Sequence, residues 1–486
     1  MKQTIYILTL LCAAASTQAQ VGIGTTSPDA SSQLDVTSTS KGFLPPRMTD
    51  SQRNAISSPV AGLMIWCTDC GTSGYLLVYN GSVWTNLIGE LRNSNLIGSD
   101  IDGEAANDHS GRSVSLSSDG STAAIGAYYN DGNGTSSGHV RIYKNISGTW
   151  TQVGADIDGE AAGDQSGYSV SLSSDGSTVA IGAVANSGSS SYSGHVRIYK
   201  NISGTWTQVG TDIDGESGGD GSGYSVSLSS DGSIVAIGAT NNSGSSSYSG
   251  HVRIYKNISG TWTQVGADID GEAASDAFGY SVSLSSDGST VAIGAIYNDG
   301  TGSSAGHVRV YKNISGTWTQ VGADIDGEAA GDRSGISVSL SSDGSTVAIG
   351  ADFNDGTGTD AGHVRVYKNI SGTWTQVGSD IDGEAAGDRS GISVSLSSDG
   401  STVAIGATGN DGTGSNAGHV RIYKYISSTS TWSQIVSDID GEAADDYSGE
   451  SVSLSSDGIT VAIGAKYNDG TASNAGHVRV YSMLSL

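Results

Sequence analysis

The stretch Asp156-Ile-Asp-Gly-Glu-Ala-Ala-Gly-Asp164 sets carboxylates at relative positions 1, 3, 5 and 9. An oxygen-lined calcium loop spaces its ligands in this way. Asp156, Asp158, Glu160 and Asp164 are therefore candidate metal ligands. The same set recurs as Asp268, Asp270, Glu272 and Asp276, and again as Asp324, Asp326, Glu328 and Asp332. Two features oppose a cation: the turn-forming glycine falls at position 4 instead of 6, and the last aspartate can cap a turn. The sequence favours an acidic turn, with calcium the alternative and the one cofactor these loops would take. Seven copies gather 28 carboxylates, and like charges about 4 Å apart repel by roughly 1 kcal/mol in water.

Other chemistry-bearing residues are few. Seven histidines, from His139 to His477, recur in Gly-His-Val-Arg. One per unit, far from the next, predicts a structural hydrogen bond, since a metal needs several ligands around one point. Cys67 and Cys70 form an isolated CxxC with no second pair, which predicts a short disulfide at a hairpin tip. No catalytic carboxylate pair or arginine cluster stands out, and nearly identical units would offer no single asymmetric pocket. Ser-Ser-Asp-Gly-Ser-Thr lacks the Trp of a sialidase Asp box.

The elements that position these residues follow from repetition. Ser-Val-Ser-Leu-Ser-Ser-Asp-Gly begins at Ser113, Ser169, Ser225, Ser281, Ser337, Ser393 and Ser451. Each unit carries four alternating strand patterns: SVSLS, STVAIGA, HVRIYK and TWTQVG. Asp-Gly marks the first hairpin, and every proline precedes the repeats. Four antiparallel strands repeated seven times predict an all-β fold, a seven-bladed β-propeller. The tryptophans of the fourth strands, Trp150 to Trp432, would fill the gaps between blades. The seventh unit lacks a fourth strand, and Ser94–Gly98 aligns with TWTQVG, so an N-terminal strand should complete the last blade. Trp84–Gly89 is the competing strand.

Residues Phe278 to Ala295, FGYSVSLSSDGSTVAIGA, resemble the FG-GAP repeat of integrin alpha subunits and many bacterial secreted proteins. The likeness spans 91–486 and implies the propeller fold. That family holds calcium in a DxDxDG loop between the two motifs. Here the interval is only Ser-Ser-Asp-Gly-Ser, so the resemblance does not carry that site over. The N-terminal stretch from Val21 to Leu87 resembles leader modules of Bacteroidota surface and fibre-like proteins, which implies a small β-rich stalk or attachment unit.

The chain begins with Lys2, an apolar run from Ile5 to Ala15 and Thr17-Gln18-Ala19. This predicts a signal peptide over 1–19, then the β-rich module over 20–90 and the propeller over 91–486. The protein is expected outside the cell or at its surface. A formal charge of −27 argues against nucleic acid or an anionic membrane as partner.

The strand order sends the second-to-third loops and the acidic connections to one face, here the top, where the units differ most. Arg112, Tyr168, Tyr224, Tyr280, Ile336, Ile392 and Glu450 occupy one variable position. Tyr128, Asp352 and Lys466 fall at a second, and His109, Arg333, Arg389 and Tyr447 at a third. Conserved scaffolding with divergent loop residues is how repeats make a recognition surface. The expectation is a non-enzymatic secreted binding or adhesion module whose top face meets an extracellular protein or glycan. A structural matrix component is the alternative, and a carbohydrate-active enzyme the more distant one.

Overall fold

The computed structural model describes residues 21–23, 34–38, 40, 43–68, 70, 75–79, 81, 84–86 and 94–483. The expected signal peptide lies outside them. The chain divides into two compact units, Met1–Gly81 and Ser82–Leu486.

In the first unit Val21–Ile23 pairs in parallel with Leu34–Val36. Met64–Cys67 pairs in parallel with Arg47–Met48 and antiparallel with Tyr75–Tyr79. A short helix, Asp50–Asn54, starts at a capping box in which Thr49 and Gln52 satisfy each other's backbone N–H groups. Cys67 and Cys70 are buried and joined by a disulfide.

In the second unit the period-2 patterns become the expected strands. The second blade runs Ser166–Leu172, Thr178–Ala183, His195–Ile202 and Thr205–Gln208, all antiparallel neighbours. Every residue of the second strand is buried, because both faces of the sheet are covered by adjacent blades. The cores accordingly lie between blades. Val140, Ile142 and Ile157 of one blade pack against Val170, Leu172 and Ile181 of the next. Trp206 covers the outer edge of that core and donates its indole N–H to the Val153 carbonyl of the preceding blade at 2.8 Å.

One element was read as turn and is strand. Ile213–Asp214, the start of an acidic loop, pairs with the head of the third strand, Asp214 opposite His195 and Ile213 opposite Val196. The apolar Ile between two aspartates is 5 % exposed and anchors the loop in the core.

Two relationships close the ring. Asn95–Leu96 pairs with the last strand, Leu96 opposite Tyr481 and Asn95 opposite Ser482, so the later of the two candidate segments is the closing strand. At the bottom of the channel, Ser118 donates its backbone N–H to Ser174, Ser174 to Ser230, and so on through Ser286, Ser342 and Ser398 to Ser456. Ser456 donates back to Ser118 at 2.9 Å.

Candidate functional site at the channel mouth

The residue after each inner Gly points into the top of the channel, where a cavity of about 260 Å³ is lined by Arg112, Tyr168, Tyr224, Tyr280, Ile336, Ile392 and Glu450. These seven positions are equivalent in the repeat yet differ in chemistry. The expectation that near-identical blades offer no asymmetric pocket is therefore corrected: identical backbones deliver unlike side chains to one point.

Half of the mouth is aromatic. Tyr168 and Tyr224 lie 5.1 Å apart by ring centroid, and Tyr224 and Tyr280 4.8 Å. Tyr128 meets Tyr168 edge-on at 5.7 Å and Tyr129 at 4.0 Å. The series continues through His109 and Tyr467 to Tyr447. Eight rings thus run unbroken from the seventh blade to the fourth. Burial, with Tyr280 and Tyr168 beside it, pushes the Tyr224 hydroxyl well above its ordinary pKa, so it is a neutral hydrogen-bonding group.

The rest of the mouth is apolar at Ile336 and Ile392 and charged at Arg112 and Glu450. Glu450 accepts a hydrogen bond from Lys466 at 2.6 Å and faces Arg112 at 3.6 Å, and Arg112 stacks over the Tyr168 ring at 4.5 Å. Burial raises the Glu450 pKa, but Arg112 and Lys466 outweigh it and hold the carboxyl below its usual value. Across the top face Asp352, fully buried, accepts from Arg333 Nε at 3.1 Å and from Arg389 at 2.9 Å. Both guanidiniums lie over Phe353, at 3.6 and 5.0 Å. Of the 22 lysines and arginines, 17 follow residue 94, and 13 of those sit at repeated strand positions. The four left over are Arg112, Arg333, Arg389 and Lys466, every one in these two clusters.

The third variable position carries backbone strain. His109, Gln165, Ala277, Arg333, Arg389 and Tyr447 have φ between 54° and 58°, and only one blade uses glycine, Gly221. A left-handed non-glycine residue costs about 1–2 kcal/mol. Strain of this kind is tolerated where a side chain must be aimed.

Tyr129, Phe353 and Tyr467 were not singled out from sequence. Each follows the second variable position by one residue, and comparing that column between units would have exposed them.

The acidic loops are arranged differently from a calcium loop. Asp164 turns inward, nearly fully buried, and accepts from the Ala161 N–H and the Asn186 amide. Asp276 and Asp332 do the same. The aspartates that open the loops, Asp156, Asp268 and Asp324, face His139, His251 and His307 at 3.7 Å. Asp158 and Asp270 lie beside them, their pKa values raised by burial and by the neighbouring aspartate, and Asp326 stands 4.0 Å from His307. The glutamates reach to the next blade, Glu160 to His195 and Glu328 to His363, both at 3.9 Å, while Glu272 bonds Arg309 at 3.1 Å. One copy's carboxylates are thus divided among three environments. Four of the histidines, His195, His363, His419 and His477, are buried with Nδ1 unbonded, and in His195 and His419 neither ring nitrogen has a hydrogen-bond partner.

Comparison with known proteins agrees with this architecture. The FG-GAP repeat family matches residues 95–143 and 263–311, and a phage tail like trimerisation region matches residues 22–103. No curated protein matches the chain. A candidate 6-phosphogluconolactonase from Bacteroides uniformis superposes with a TM-score of 0.50 at 12 % identity, over 76 % of this chain and 94 % of that one. Kuenenia stuttgartiensis hydrazine synthase gives 0.49 at 14 % identity, over 79 % and 96 %. At such identities the likeness concerns the fold. The chain carries FG-GAP repeats, folded as a seven-bladed β-propeller, behind a phage-tail-like trimerisation region.

Proposed function

We propose that this is an exported, non-enzymatic binding protein whose channel mouth takes a glycan bearing an acidic group. The observation that carries the reading is the tyrosine arc meeting Arg112 at the mouth, with Lys466 on Glu450 and the Arg333–Asp352–Arg389 cluster on the same face. Sugar rings present C–H faces that stack on aromatic rings, and tyrosine hydroxyls and arginines bond their polar edges. Four cations against Glu450 and Asp352 leave two positive charges in a chain of net charge −27. That excess favours a carboxylate or sulfate on the ligand.

The trimerisation region adds valence. Three propellers on one stalk would turn weak single-site binding into tight attachment to a repeating polymer. Binding of the full chain to an array of neutral, uronate-bearing and sulfated glycans tests the reading, followed by titration of the best ligand. Tyr224→Ala should weaken binding at least tenfold, while exposed Tyr192→Ala leaves it unchanged. Binding only to neutral glycans, or equal affinity in Tyr224→Ala, would remove the mouth as the site. Turnover of a bound glycan would make the protein an enzyme.

A further inference from the structure

Five of the seven seams between blades hold a second constellation, separate from the mouth. His139 is 1 % exposed, and its Nδ1 is directed at Asp156 Oδ2, 3.7 Å away, and at Glu104 Oε2, 3.9 Å away. The second seam repeats it: His195 Nδ1 lies 3.6 Å from Asp212 and 3.9 Å from Glu160. His251 does so with Asp268 and Glu216 at 3.7 and 3.9 Å, and His477 with Asp100 and Glu442 at 3.8 Å each. The glutamate comes from one acidic loop and the aspartate from the next, so each site needs two blades.

Three observations point to a cation. First, these separations exceed a hydrogen bond but approach the edge of a tetrahedron around an ion with bonds near 2.1 Å, which is about 3.4 Å. Second, the buried Nδ1 atoms of His195, His363, His419 and His477 have no hydrogen-bond partner, which is unusual for a buried polar atom. Third, the outward oxygens are already held. Asp156 Oδ1 accepts from Gln152 at 2.6 Å and Glu104 Oε1 faces Arg141 at 3.4 Å, leaving Oδ2 and Oε2 turned toward the imidazole. Orienting partners of this kind accompany metal-binding carboxylates.

The charges agree. Asp158 and Asp108 add carboxylates beside Asp156 and Glu104, while Arg141 is the one cation, so the cluster carries a net negative charge.

We propose that the interblade His–Asp–Glu clusters bind divalent transition-metal ions, zinc-class rather than calcium, because a nitrogen donor accompanies the carboxylates. Each ion would tie two consecutive acidic loops together, and its half-exposed glutamate leaves a path from solvent.

The test uses the full chain, stripped with chelator and titrated with Co²⁺ at neutral pH. Cobalt should give a visible ligand-field band, displaced by Zn²⁺, with up to five ions per chain by elemental analysis. Glu160 serves one cluster only and its side chain is 46 % exposed, so Glu160→Gln should fold and lower the count by one. Asp175→Asn, in a bottom turn, should leave it unchanged. An unaltered count in Glu160→Gln, no cobalt band, or Ca²⁺ and Mg²⁺ competing equally with Co²⁺ would each overturn the assignment.

Discussion

The indole N–H of Trp150 donates to the carbonyl oxygen of Ile97 at 2.8 Å, tying the first blade to the strand that completes the last. Trp206 makes the same bond to Val153, between blades continuous in the chain. The closing strand is therefore used like any other fourth strand. Trp150→Phe and Trp206→Phe should each destabilise by about 1 kcal/mol, the usual net worth of one such bond. Urea unfolding of both variants measures this; a silent Trp150→Phe beside a destabilised Trp206→Phe would show the closing strand detached from the first blade in solution.

Glycine has two different uses here, and substitution separates them. A Cβ at Gly182 would collide with the Gly223 carbonyl and Ser169 Oγ, where inner strands of adjacent blades touch. Gly204, with φ +91°, has open space around it. Gly182→Ala should lose about 3 kcal/mol by overpacking. Gly204→Ala should lose only about 1 kcal/mol, from left-handed strain. Equal melting temperatures for the two variants would contradict the close approach of the blades.

Asp352 has no solvent to share its charge, and two arginines depend on it. Asp352→Asn leaves both guanidiniums over Phe353 without a counter-charge. The expected loss is about 3 kcal/mol, at the low end for a broken buried pair because Arg389 is a third exposed. Thermal unfolding gives the number, and Arg389→Gln in the same background should recover part of it.

Glu450 sets a pH dependence. Its folded pKa lies below the ordinary 4.5, so its ion pairs stabilise fully above pH 4.5 and weaken as pH falls through the folded value. The melting-temperature gap between wild type and Glu450→Gln should be widest near pH 7 and should narrow steadily below pH 4.5. A gap independent of pH would mean that the carboxyl is not ionised at the mouth.

The propeller was legible because its signal is redundant. Seven copies of Val-x-Ile alternation, each with Asp-Gly at the same offset, leave little freedom in strand number or order. The closing strand was legible from the register of Ser94–Gly98 alone, without a tryptophan to mark it. The mouth was half legible: comparing units found Arg112, Tyr168, Tyr224 and Tyr280, but not that they meet, since 56 residues separate each from the next equivalent. The seam clusters were hidden for a related reason. Glu104, His139 and Asp156 belong to two units, and reading one acidic loop at a time grouped Asp156 with Asp164, which has turned into the core as a cap.

Because Asn95 and Leu96 lie in the blade that residues 477–482 complete, the ring can close only after residues 477–482 have been made. The same strand is the point at which tension along the chain from the N-terminal region enters the propeller. Load arriving along that chain would be borne first by the pairing of Leu96 with Tyr481, so mechanical failure should begin there.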